Sequence, residues 1–143
     1  MASQEKYTIL YGRLSQEDMQ KRSGKEDDSN SIQNQRLLLE KYAADKGFTN
    51  TRFIYDDGYT GTNFNRPGWQ EVMELIESEQ VGTLIVKDLS RLGREYLQVG
   101  QYTELVFPSY GVRFIAVNDG VDSLVESNND FTPFRNIINE NLA

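Results

Sequence analysis

The sequence predicts an α/β fold, with a mostly parallel central sheet of four to five strands and helices on both faces. Three observations carry that prediction. Four short apolar runs, Tyr7–Leu14, Thr51–Asp56, Thr83–Lys87 and Val112–Val117, have the length and the β-branched or aromatic content of strands. Segments with helical spacing of apolar residues separate them, so strand and helix alternate along the chain. The third run, Thr-Leu-Ile-Val-Lys, is apolar almost throughout, as a strand covered on both faces should be. With 143 residues, 38% of them hydrophobic and 26% charged, the chain suits one soluble globular domain with a proper core.

Taken in order, Tyr7–Leu14 is the first strand and runs into Tyr-Gly-Arg-Leu-Ser, residues 11–15. Alternate strand side chains share a face, so Arg13 and Ser15 point the same way. They do so at the C-terminal end of a strand, where open α/β sheets bind ligands. Gln16 to Asn30 reads as a charged loop with no apolar periodicity. A helix follows. Ser29, Asn30 and Ser31 are all N-cap types, Gln33 could close a capping box with Asn30, and Gly47 suits the residue after the helix. Ile32, Leu39, Tyr42 and Ala43 form its apolar stripe. Gln35 falls on that inward face, where a polar side chain needs a partner. Two readings stand: a satisfied core glutamine, or a side chain facing the same cleft as Ser15.

Thr51–Asp56 is the second strand, and Asp57 to Gly68 is a loop punctuated by glycine, asparagine and Pro67. Trp69, Val72, Met73 and Ile76 then mark an amphipathic helix with Pro67 at its first position, ending near Gly82, and Trp69 reads as core. After the third strand come Asp88 to Arg94 and a helix from about Glu95 to Phe107. Its residues Leu97, Gln101, Glu104 and Leu105 give only mediocre periodicity. The fourth strand leads into an acidic loop, Asn118 to Asp130. Thr132 as N-cap, Pro133 at the first position and apolar Phe134, Ile137 and Ile138 predict a last helix, cut short at Ala143, whose apolar residues await a partner.

Composition narrows the chemistry. The chain has no cysteine and no histidine, which excludes thiolate and disulfide chemistry and removes the commonest general base and transition-metal ligand. Catalysis is left to serine, tyrosine, arginine, lysine or carboxylates. No apolar run has the length of a membrane span, and the N-terminal residues lack the pattern of a signal peptide. The net charge of −7 predicts weak DNA binding by this chain alone, although arginines can still gather in one cleft.

Such a gathering is legible. Arg13 ends the first strand, Arg66 precedes the second helix, and Arg91 and Arg94 follow the third strand, three residues apart and so on one face if that stretch is helical. Phosphoryl transfer spreads negative charge over non-bridging oxygens, which planar guanidinium groups match with bidentate contacts. Ser15 is therefore read as a nucleophile for a phosphodiester, activated by clustered cations, with its general base unidentified. Two alternatives compete: a receiver-like, metal-dependent phosphotransfer domain using Asp56, Asp57 and Asp88 with Mg²⁺, and a non-catalytic interaction module of the same fold.

Four ordered motifs resemble those of the serine recombinase catalytic domain, the resolvase/invertase family. They are Tyr-Gly-Arg-Leu-Ser (11–15), Ser-Ile-Gln-Asn-Gln-Arg (31–36), Tyr-Thr-Gly-Thr-Asn-Phe-Asn-Arg-Pro-Gly-Trp (59–69) and Ser-Arg-Leu-Gly-Arg (90–94). The long loop before the first helix and the segment from Asn129 to Asn139 look like the large serine recombinases of conjugative and mobilisable transposons. The resemblance implies a resolvase-like catalytic domain over residues 1–130 and the start of a truncated oligomerisation helix over 131–143, with the C-terminal DNA-binding regions absent from this sequence. It implies that Ser15 attacks DNA to leave a 5′-phosphoserine link. Arg13, Arg91, Arg94 and Arg66 would line the scissile phosphate, Arg94 being a candidate to assist the leaving oxygen, and Gln35 matches the family's helix glutamine. It further implies no cofactor, metal or nucleotide, specific DNA sites as substrate, a homodimer assembling to a tetramer, and a bacterial cytoplasmic location on DNA. The family often has aspartate immediately before the first arginine of Arg-Leu-Gly-Arg. Here that position is Ser90, with Asp88 two residues earlier.

Overall fold

The computed structural model describes residues 6–14, 31–57, 66–92 and 96–124. Five strands form one sheet in the order β2-β1-β3-β4-β5. β1 (Tyr7–Leu14), β2 (Thr51–Asp57), β3 (Val81–Val86) and β4 (Arg113–Ala116) are parallel, and β5 (Val121–Asp122) runs antiparallel to β4. This is the predicted α/β architecture, and the apolar third run is an interior strand.

Odd and even residues of β1 divide the core. Leu10 packs with Leu39 and Ala43 of helix α1 (Ile32–Lys46), together with Ile85 and Ile115. Ile9 and Tyr11 face the other way, toward Trp69, Val72 and Ile76 of helix α2 (Pro67–Glu77) and toward Val99, Phe107 and Phe114. Period-two alternation in a strand clothed on both faces makes these two cores.

Local signals place the elements. Ser31 is the N-cap of α1, its hydroxyl accepting from the Asn34 N–H at 3.1 Å, and Gly47 closes the helix with a left-handed φ of 83°. Pro67 stands at the start of α2, as predicted. That helix stops at Glu77 rather than near Gly82. Its apolar stripe gives way to polar residues, the Ser78 hydroxyl bonds back to Glu74, Glu79 turns the chain with φ 65°, and Gly82 lies inside β3.

The helix predicted from Glu95 to Phe107 is described from Tyr96 and changes type along its length, and a separate short helix precedes it. α3 (Leu89–Leu92) is one turn; α4 (Tyr96–Gln101) runs into a π-helical turn over Tyr102–Val106, and α5 (Phe107–Ser109) follows. The π turn shifts the helix face, which explains the weak periodicity: Val99, Thr103 and Phe107 are buried, whereas Leu97 and Leu105 are 55% and 65% exposed. The acidic loop after β4 also holds unforeseen structure. A 3₁₀ turn, Val117–Asp119, and Gly120 at φ 67° reverse the chain into β5, where Asp122 takes Arg113 in two hydrogen bonds of 2.9 and 2.8 Å. The Gln16–Asn30 loop, the rest of the acidic loop and the last helix lie outside the described residues.

Candidate active site

The chain from β1 passes through α1 to β2 on one side, while β3 lies on the other side of β1. Helices depart to opposite faces at this point, which opens a crevice beyond the C-terminal end of β1. Pairing of β1 with β3 ends at Tyr11 opposite Val86. Beyond it, the backbone of Arg13 is met by side chains instead of a strand. The Arg13 N–H donates to Gln35 Oε1 at 3.1 Å, and Gln35 Nε2 donates to the Arg13 carbonyl at 3.0 Å. The amide of Gln35 stands where a neighbouring peptide would. Its approach is close: a Cβ built on Gly12 would lie 3.1 Å from Gln35 Oε1. The inward polar residue is thus satisfied in the core, and its partner is the residue two before Ser15.

Arg91, on the one-turn helix after β3, closes on the same strand end. Its Nη1 donates to the Arg13 carbonyl at 2.7 Å. Arg13 reaches back, donating from Nε to the Arg91 carbonyl at 3.1 Å and from Nη2 to the Ser90 carbonyl. The two arginines, 0% and 4% exposed, clasp each other through main-chain oxygens. Asp88 supplies the nearby carboxylate. Its Oδ1 accepts from Ser90 Oγ, and from the N–H and Nε of Arg91 at 3.3 Å each.

Arg66 is also fully buried, one layer deeper. Its Nη1 donates to the Tyr11 hydroxyl at 3.2 Å, and Tyr11 donates to Asp56 Oδ2 at 2.6 Å. Asp56 in turn accepts from the N–H groups of Gly68 at 2.7 Å and Trp69 at 2.8 Å. Arg66, as the N-cap residue of α2, makes no side-chain cap, so a carboxylate from β2 caps that helix. Burial pushes the Tyr11 phenol well above the ordinary tyrosine range; Asp56 adds to the shift and Arg66 and Arg13 oppose it, so Tyr11 stays a donor. Burial also lowers Arg66, against the pull of Tyr11 and Asp56.

The fold therefore brings Arg13, Arg91, Gln35, Asp88 and Ser90 to one strand end, with Arg66 behind them. Ser15 and Arg94 lie outside the described residues. Two further contributors are Tyr11, to which the sequence reading assigned no site role, and Asp56, which it offered only as a metal ligand of the alternative reading. Tyr11 alternates with Arg13 on one face of β1, which was a readable signal; a helix cap delivered from a distant strand was not. Two carriers of the metal-dependent alternative are engaged elsewhere. Asp56 is committed to a phenol and two backbone N–H groups, Asp88 to Ser90 and Arg91, and β1 lies between the strands that bear them. Among the described residues no cluster of acidic side chains is suited to a metal ion.

The comparisons agree with this geometry. No curated protein matches the chain. Its fold is similar to the N-terminal catalytic domain of TP901-1 integrase, with a TM-score of 0.76 and 26% identity over 94% of this chain and 95% of that one. It is also similar in fold to a resolvase family site-specific recombinase from Streptococcus pneumoniae (TM-score 0.65, 23% identity, 96% and 90% covered). A serine recombinase from Sulfolobus solfataricus shares the fold as well (TM-score 0.59, 23% identity, 80% and 69% covered). The family model described as "Resolvase, N terminal domain" matches residues 8–140. The chain shares its fold with serine recombinases and belongs to the resolvase N-terminal domain family.

Proposed function

We propose that this domain cuts and rejoins DNA through a 5′-phosphoserine intermediate formed on Ser15, in the excision or integration of a transposon. Ser15 Oγ gives up its proton as it attacks the phosphorus, the P–O3′ bond breaks, and the departing 3′ oxygen takes up one proton to become a hydroxyl, so the step is proton-neutral overall. In the rejoining step a 3′-hydroxyl attacks the phosphoserine and Ser15 leaves. Arg13 and Arg91 supply the positive charge that the transition state needs, Arg94 assists the leaving oxygen, and Arg66 and Gln35 support the site. The observation that carries this reading is the clasp of Arg13 and Arg91 at the end of β1, directly before Ser15. No metal or nucleotide enters any step. Cleavage of both strands at two sites requires four serines, so the working assembly is a homodimer that pairs into a tetramer. Sequence-specific contacts to DNA come from regions outside this chain, in keeping with its net charge of −7. The setting proposed is the bacterial cytoplasm, on DNA; among the described residues no helix is long and apolar enough to cross a membrane.

The test is direct. The protein in its full natural length is incubated with its recombination site carrying a nick that traps cleavage, and denaturing gels are read for a covalent adduct. The adduct is expected with the parent protein and lost with Ser15→Ala. An adduct that survives Ser15→Ala would overturn the reading.

A further inference from the structure

The helix that carries Arg91 is a single turn, Leu89–Leu92. One turn fixes several residues for one hydrogen bond and cannot hold its own conformation or position. Its place must come from contacts beyond it, and the structure shows what they are. At its start, the Leu89 N–H donates to Asp119 Oδ2 at 2.6 Å, across 30 residues of chain. Beside it, the Asn118 N–H donates to the Lys87 carbonyl at 2.8 Å. The turn after β4 thus grips both the start of α3 and the residue leading into it. The other end of the same four residues holds the Arg13 guanidinium on the carbonyls of Ser90 and Arg91.

We infer that Asp119 is a positioning residue for strand cleavage: by capping α3 it sets where Arg91, and through its carbonyls Arg13, stand at the end of β1. Asp88 holds the same turn from within, through Ser90 and Arg91. Asp119 holds it from outside, against the sheet. It is exposed and sits on the 3₁₀ turn after β4, so it acts through the helix and touches none of the arginines' side-chain contacts described above. The inference rests on the proposed serine chemistry, and its test separates the two.

Adduct formation on the nicked site is measured as a function of DNA concentration for the full-length parent, Asp119→Ala, Asp119→Asn and Leu89→Pro. Asparagine retains an oxygen that caps as well as aspartate. Proline at the first helical position removes the N–H that Asp119 accepts from, at a position that tolerates it. Asp119→Ala is expected to slow the rate at saturating DNA about tenfold, with the half-saturating DNA concentration and the thermal midpoint close to the parent's, while Asp119→Asn stays within about threefold. Leu89→Pro removes the same bond together with a side chain packed against the core, so it should be at least as slow, and adding Asp119→Ala to it should slow cleavage no further. Parent-like cleavage by both single variants would overturn the role of Asp119. So would an Asp119→Asn loss equal to that of alanine, or a change confined to DNA affinity. A parent protein that forms no Ser15-dependent adduct would instead remove the proposed function itself.

Discussion

Gln35 sets the main chain of a strand end with a side chain. Its amide gives the Arg13 N–H an acceptor and the Arg13 carbonyl a donor, at the point where pairing with β3 has stopped. Gln35→Ala removes both bonds inside the protein. Loss of one buried partner costs about 1–3 kcal/mol, so urea unfolding should show a destabilisation of at least that order. A variant as stable as the parent would mean that the strand end holds itself. Gly68 is the second single-residue constraint. A Cβ there would lie 2.6 Å from the Tyr55 carbonyl oxygen and 2.8 Å from Asp56 Oδ2. The first of these is backbone and cannot swing away. Gly68→Ala should therefore cost about 1–3 kcal/mol by overpacking, read as a lower midpoint in denaturant, and should loosen the Asp56 cap that holds Tyr11 and Arg66.

Among the elements, the strands of the parallel sheet were legible because burial on both faces leaves a near-continuous apolar run, as in β3. Helix α2 was legible because Trp69, Val72 and Ile76 face a single core. The region after β3 was not. Its π turn breaks the 3.6-residue period, so Leu97 and Leu105 look like an inward stripe and are exposed, while Val99 and Phe107 do the packing. β5 was hidden for a different reason: two residues carry no periodicity, and what fixes them is Gly120 and the pairing of Asp122 with Arg113. The site divides along the same line. Arg13 and Arg91 announce themselves at strand ends, whereas Asp56 and Asp119 cap helices from outside them, 12 and 30 residues away in the chain, a relation that no local pattern encodes. The shifted face gives an element-level test. Leu105→Ser should change stability by less than about 0.5 kcal/mol, and Phe107→Ala should cost about 3–5 kcal/mol. Equal costs in thermal or urea unfolding would contradict the π turn.

For the whole molecule, charge and burial work together. The chain has 15 basic residues against 22 acidic ones, and among the described residues Arg13, Arg66 and Arg91 are buried. This chain alone should therefore bind duplex DNA no better than about 10⁻⁴ M at physiological salt, the weak end of non-specific binding; a micromolar shift in a titration of this domain would show a basic face that its composition does not suggest. Acid stability offers a second global measurement, through the ion pair that ties the last strand to the sheet. The two hydrogen bonds from Arg113 hold the Asp122 carboxyl below the ordinary carboxylate range, against the opposing effect of burial. The sign follows from linkage. A carboxylate with a depressed folded-state pKa stabilises the fold above the unfolded value of about 3.9. That contribution disappears as pH falls through the folded-state value. Asp122→Asn should thus be less stable than the parent at neutral pH, by about 1 kcal/mol for a partly exposed pair. The two unfolding curves should converge once pH has fallen below the depressed folded-state value, where both proteins carry a neutral side chain against Arg113. A gap that persists undiminished into acid would assign the loss to packing in the β4–β5 turn and not to the charge.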